Sequence, residues 1–217
     1  MPDWRELATR AAARYEDGAG RLPDDADARQ RQLTRIANAA YASGLCLLMA
    51  ADRDRAVEWL LRAAERYRES YESAPPNSWG RPIGAVKARL LGGDEDGAAR
   101  DAQWTLDEEA ARTESPIGRY AACLALLVLS RWAEARVLAD DLRTHEGFPT
   151  DVADALAFIA ADDVVGYDVA IESVLESFET REEYLEDVAV ADTVLVLQAL
   201  AGRRGFTAEL ESALLPA

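Results

Sequence analysis

The sequence predicts an all-α protein of stacked antiparallel helix pairs, either a helical solenoid or a compact helical array. Three observations carry that expectation. Apolar residues recur with a period of about 3.6 almost throughout, the signature of helices with one buried face. Alanine and leucine dominate and β-branched runs are few, so intrinsic propensity agrees with the pattern. Short breakers rich in glycine and proline interrupt the pattern roughly every 10–20 residues, the usual length of a globular helix. Helix is expected to exceed roughly 65% of the residues, with no sheet.

The elements follow in order. A first helix over 3–17 stops at Gly18-Ala19-Gly20, and Asp24-Asp25 supply the starting cap of a second over 26–50. Asp54 opens a third, 54–73, which Pro75-Pro76-Asn77 closes. Pro82 stands in the first turn of a fourth helix, 82–91, where its missing N–H costs nothing, and Gly92-Gly93 ends it. The fifth spans 95–112. Pro116 takes the same first-turn place in the sixth, 116–129, and the seventh runs over 132–145 to Gly147-Phe148-Pro149. Thr150-Asp151 start the eighth, 150–161, followed by 165–178 and a short 180–186. The stretch 188–201 is ambiguous. Val190, Val194 and Val196 favour a strand, but Ala189, Ala191, Ala199 and Ala201 tip it to helix. Gly202 to Gly205 separate it from a last helix, 207–214.

The helices pair, and the pairs repeat. From Gly44, Leu47 follows at +3, Ala56 at +12, Leu60 at +16 and Ala63 at +19. The same offsets from Cys123 give Leu126, Ala135, Ala139 and Leu142, and from Ala155 they give Phe158, Tyr167, Ile171 and Val174. A fourth unit begins near Ala88 with a turn two residues shorter, placing Ala98 and Ala102 on its second helix. Pro82-Ile83-Gly84 recurs as Pro116-Ile117-Gly118, 34 residues on. Small residues on both helices allow a close crossing, and the larger ones fill space towards the next pair. On these residues the chain resembles the tetratricopeptide-repeat superfamily, best over Ala40 to Pro75, where Gly44, Ala56, Leu60 and Ala63 match the motif's small and large positions. The resemblance spans about residues 37–180 and is degenerate, with Ala40 at the motif's early tryptophan position. It implies a scaffold that binds peptides or proteins in a concave groove, without catalysis. A non-repetitive α bundle is the alternative. One domain is expected over 1–217: an N-terminal helix and linker over 1–25, hairpin repeats over 26–186 and capping helices over 187–217.

A second resemblance lies in the run from Ala189-Val190-Ala191-Asp192, through an apolar helix, to Gly205-Phe206-Thr207-Ala208-Glu209-Leu210-Glu211-Ser212-Ala213-Leu214-Leu215-Pro216. It is similar to the close of all-α immunity proteins of bacterial polymorphic-toxin systems. That resemblance implies a protein that neutralises a toxin by binding it, and an acidic surface suits a basic toxin.

Charge is unevenly spread. Of 40 acids and 24 bases, residues 146–192 hold 14 acids and only Arg181 as a base, a local net of −13. Lys87 is the only lysine. Nucleic acid and anionic membranes are excluded as expected partners, because phosphate binding needs clustered cations. Plain solubility and attraction of a basic protein both account for the acidity. The longest apolar run, Ala121 to Leu129, is half of what a membrane span needs. The opening Met1-Pro2-Asp3-Trp4-Arg5-Glu6 lacks the basic-then-apolar order of a signal peptide, and Cys46 and Cys123 form no disulfide or CxxC pattern. A cytoplasmic protein is expected.

Catalytic chemistry finds little support. His145, the only histidine, falls at a helix C-terminus, where the dipole alone favours it. No serine stands in a Gly-x-Ser-x-Gly turn and no glycine loop carries the Lys-Ser/Thr of a phosphate loop. One histidine and two distant cysteines cannot build a zinc site. No cofactor and no metal are expected. The alternative is an enzyme holding Mg²⁺ or Ca²⁺ with carboxylates such as Asp24-Asp25-x-Asp27, Asp94-Glu95-Asp96, Asp162-Asp163 or Glu182-Glu183. These acids sit where helix caps belong. Two surfaces are candidates for a protein partner. One is acidic: Glu172, Glu176 and Glu179 step along one helical stripe, opposite an apolar stripe of Val164, Ile171, Val174, Leu175 and Phe178, with Glu182 and Glu183 beyond. The other is aromatic: Trp59, Tyr67 and Tyr71 on the third helix, interleaved with Arg62, Arg66 and Arg68. Core packing is the rival use of these aromatics. The sequence sets no oligomeric state.

Overall fold

The computed structural model describes residues 2–216. Helix accounts for 72% of the chain and no strand occurs among the described residues. The α-helices are α1 (Trp4–Ala19), α2 (Ala26–Met49), α3 (Arg53–Tyr71), α4 (Gly80–Gly92), α5 (Glu95–Asp107), α6 (Pro116–Val128), α7 (Trp132–Leu142), α8 (Thr150–Ala161), α9 (Val164–Glu179) and α10 (Asp192–Gly202). Single 3-10 turns lie at Ala110–Arg112 and Leu185–Asp187. The chain forms two compact units. The first holds residues up to Glu95 together with Glu182–Val190 and the residues from Ala213 on; the second holds Asp96–Arg181 and Ala191–Ser212.

In the first unit α1 packs on α2, α2 on α3 and α3 on α4. Asp3 caps α1 by accepting the N–H groups of Arg5 and Glu6, and Asp25 caps α2 by accepting that of Ala28 at 2.8 Å. The α2–α3 crossing is tight at Gly44, where a Cβ would lie 2.7 Å from Leu60 Cγ. Ala56, Leu60 and Ala63 are fully buried there, as the offsets required. Gly84 plays the same part between α4 and α3, against the ring of Tyr67.

In the second unit α6, α7, α8 and α9 pack in sequence, and α10 closes on α8 and α9. Cys123, Ala135, Ala139, Leu142, Ala155, Tyr167, Ile171 and Val174 are all buried, and the Cys123 thiol donates to the Ala135 carbonyl at 3.5 Å. Gly166 permits the approach of α9 to Phe158 of α8.

The hairpin turns share one geometry. In the first unit Ala51 has a left-handed φ of 55°, and the N–H of Asp52 donates to Leu47 O at 2.9 Å. In the second, Ser130 (φ 57°) and Asp162 (φ 63°) repeat it, with Arg131 N–H on Leu126 O and Asp163 N–H on Phe158 O. Each accepting residue is the +3 position of its repeat. This six-residue closure satisfies carbonyls that a helix end leaves without partners. Gly93 (φ 71°) repeats the same closure, with the Asp94 N–H on Arg89 O at 3.0 Å, so the turn after α4 is not the shorter one expected and the offsets of that unit run from Val86 in place of Ala88.

Three further expectations are corrected. Residues 180–186 are not a helix. Thr180 ends α9, and an irregular stretch leads into the 3-10 turn, where Glu186 and Asp187 are left-handed. Three acids in this run, Glu182, Glu183 and Glu186, would stack like charges three and four apart on a helix, which destabilises it. Residues 188–191 lie outside α10, which starts at Asp192. Residues 207–214 are also non-helical. The Gln198 side-chain amide takes both backbone groups of Ala208, donating to its carbonyl at 2.7 Å and accepting its N–H at 3.0 Å. Phe206 packs edge-on against Tyr167, and the Tyr167 hydroxyl donates to the same Gln198 oxygen at 2.8 Å. The extended segment therefore takes its hydrogen bonds from a side chain in place of a helix. Gln198→Leu should cost about 1–3 kcal/mol by stranding the Tyr167 hydroxyl. Amide hydrogen exchange should lose protection at Ala208; retained protection would show that other contacts hold the segment.

Candidate functional site: the outward face of α9

Asp163 caps α9 by accepting the Gly166 N–H at 2.9 Å. The helix then buries Tyr167, Ala170, Ile171, Val174, Leu175 and Phe178. Val164, expected on the apolar stripe, is 43% exposed. The opposite face carries Val165, Val169, Glu172, Glu176 and Glu179, spaced four, three, four and three apart and all exposed. Such spacing keeps them on one line along the helix. Val165 and Val169 are exposed to 76% and 64%. Sequence reasoning named the glutamates but missed these two valines, although the same spacing, continued towards the N-terminus, leads to them.

The glutamates differ in surroundings. Glu179 accepts a hydrogen bond from the Ser212 hydroxyl at 2.6 Å. Glu172 and Glu176 have no hydrogen-bonding or ion-pairing partner among the described residues. Arg181, the one nearby base in sequence, lies over the Phe178 ring at 3.7 Å. Several acids near other helix ends are answered by arginines. Asp17 pairs with Arg21, Glu69 with Arg29 and Arg66, and Asp140 with Arg136 and Arg143.

Glu182 and Glu183 belong to the first unit and are exposed in the irregular stretch after α9. They flank no helix start, contrary to expectation. Trp59 and Tyr67 are core residues of the first unit, 9% and 5% exposed. Trp59 meets Tyr15 of α1 edge-on at 5.3 Å, whereas the Tyr67 hydroxyl donates to Asn38 of α2 at 2.8 Å. The two rings thus serve different helix contacts, and the face they were expected to share with half-buried Tyr71 is not a common exposed surface. Arg66 donates to the Tyr15 hydroxyl and Glu69, so it braces α3 against α1.

Several of the carboxylates weighed as metal ligands have other roles. Asp25 and Asp163 are caps, Asp27 takes Gln30 and Arg31, Asp94 takes Arg89, and Asp162 ends α8. No group of three or more His, Cys, Asp or Glu side chains converges among the described residues. His145 lies 3.3 Å from Asp141 and 3.0 Å from Arg119. Both cysteines are buried thiols. Burial pushes Cys46 from 9.0 up to about 11, with Arg14 pulling weakly the other way, and pushes Cys123 higher still. A nucleophilic thiolate needs the opposite shift. A hollow of about 610 Å³ in the second unit is lined by Leu126 and Leu138 beside two internally neutralised pairs, Arg112 with Glu109 and Arg131 with Glu134, and by Asp107, which accepts from the Gln103 amide at 2.8 Å.

Fold and site together define an all-α helical array with an acid-lined helix face. The chain matches no protein-family model, no curated protein and no solved structure with which it was compared. No helix of the described residues is long and apolar enough to cross a membrane.

Proposed function

We propose that this chain is a non-catalytic, cytoplasmic protein-binding module of tetratricopeptide-like helical-hairpin type, and that its partner is a protein with a basic surface. The recurrence of one turn geometry at the +3 and +7 positions of successive hairpins supports the repeat part of the proposal. The observation that carries the binding part is the outward face of α9. The side chains of Glu172 and Glu176 have no partner there among the described residues, in a stretch, 146–181, that holds nine acids and one base. Such a face attracts and orients a cationic partner before contact. Its sharpest form is immunity: the partner is a basic toxin, and binding neutralises it.

The test is a pull-down from the native host with the wild-type chain and Glu172→Gln/Glu176→Gln side by side, at low and at high salt. The expected capture is a basic protein, released by salt and depleted from the variant. Capture that ignores both salt and the substitutions would contradict the proposal. For the immunity form, co-expression of the captured protein should be harmful in the absence of this chain and harmless in its presence.

A further inference from the structure

The stripe on α9 breaks two local rules at once. Val165 and Val169 present β-branched apolar side chains to water on adjacent turns of one helix. Glu176 and Glu179 stand in the last turn of α9, where the macrodipole disfavours anions, and that turn contains no basic residue. Several acids in the same position elsewhere are paired with arginines: Glu16 and Asp17 at the end of α1 with Arg62 and Arg21, and Asp141 at the end of α7 with Arg119, whereas Asp107 at the end of α5 takes the Gln103 amide. On this stripe the Glu172 and Glu176 side chains have no partner among the described residues, and the valines lie on the same line.

We infer that the outward face of α9 is the seat of a basic amphipathic helix of the partner. Its apolar residues close over Val165 and Val169, and arginine or lysine side chains one to two turns on reach Glu172 and Glu176. This deepens the proposed function and rests on its reading of the acidic face. The stripe from Val165 to Glu179 is about 21 Å long at the standard rise, which matches roughly four turns of a docked helix. A ridge of residues four and three apart fits the groove of another helix. An extended strand would need unpaired backbone groups along a sheet edge, and the described residues contain no strand to offer one. The order along α9, valines first and glutamates after, sets the direction in which apolar and cationic residues must follow each other in the partner.

The experiment uses the full chain and a synthetic helical peptide with leucines at i and i+4, followed by arginines one and two turns later. A peptide of identical composition in scrambled order is the control, and fluorescence anisotropy reads binding. The patterned peptide should bind about tenfold more tightly than the scrambled one, and Val165→Ser/Val169→Ser should weaken it about tenfold while keeping its salt dependence. Glu172→Gln/Glu176→Gln should weaken it comparably and flatten the salt dependence. All four positions are exposed, and unchanged circular dichroism confirms that the variants fold. Equal binding of the two peptides, no binding of either, or indifference to the valine substitutions would overturn the inference. Loss of binding in the glutamine variant alone leaves the acidic docking face standing without the helix. Indifference to both variants removes the acidic face as well.

Discussion

Gly44→Leu should lower the unfolding free energy by about 1–3 kcal/mol, and Ala135→Leu should do the same in the second unit. At Gly44 even a Cβ would come 2.7 Å from Leu60 Cγ and 3.3 Å from Leu60 N. The backbone nitrogen cannot rotate aside, so α2 and α3 must separate and uncover Ala56 and Ala63, now fully buried. Ala135 faces Cys123 through its own carbonyl, and both residues are fully buried. For units of this size such losses correspond to several degrees in the thermal midpoint. Unchanged midpoints in both variants would show that these positions do not set the helix crossings.

Stability should fall steeply as pH rises from about 9 to about 11. A buried acid whose ordinary form is neutral holds its proton more tightly when folded. Its stabilisation is complete below the unfolded value and is lost as pH climbs towards the folded one. Burial lifts Cys46 from 9.0 to about 11, a difference worth about 3 kcal/mol by the upper end of that window. Cys123 and Tyr167 are raised in the same direction by burial, with Asp168 adding to the effect on Tyr167, so the loss deepens above pH 9. Denaturant titrations under reducing conditions at pH 7, 9 and 10.5 check it, and Cys46→Ala should reduce the slope. A flat profile would mean that neither thiol is held neutral by the fold.

The repeat register was legible because small residues have few other uses at a helix crossing. Gly44, Ala56, Ala135 and Ala139 could be placed from spacing alone, and the structure buries all four. The turns were harder to read. Ala51, Ser130 and Asp162 adopt left-handed backbone without being glycine, so composition did not mark them. Their positions are visible only in register, seven residues after Gly44, Cys123 and Ala155. The stretches 180–186 and 207–214 were misread for opposite reasons. In the first, like charges outweigh helix propensity. In the second, Gln198, ten positions upstream of Ala208, supplies the backbone hydrogen bonds. No local pattern announces such a tertiary contact. On the site, the glutamate stripe was readable because its spacing is helical. The fate of Trp59 and Tyr67 was not, since a helix has several buried faces when it packs between two others, as α3 does between α2 and α4.

The most direct measurement is the association rate of the captured basic partner with this chain as ionic strength rises. Between about 0.01 M and 0.15 M the screening length shrinks from about 30 Å to about 8 Å. The rate for the wild-type chain should fall about tenfold or more over that range. Glu172→Gln/Glu176→Gln should start lower and fall less, with an unchanged thermal midpoint, because neither glutamate has a partner among the described residues. An association rate that ignores both salt and the two substitutions would contradict the account and leave the acidity of α9 as solvation alone.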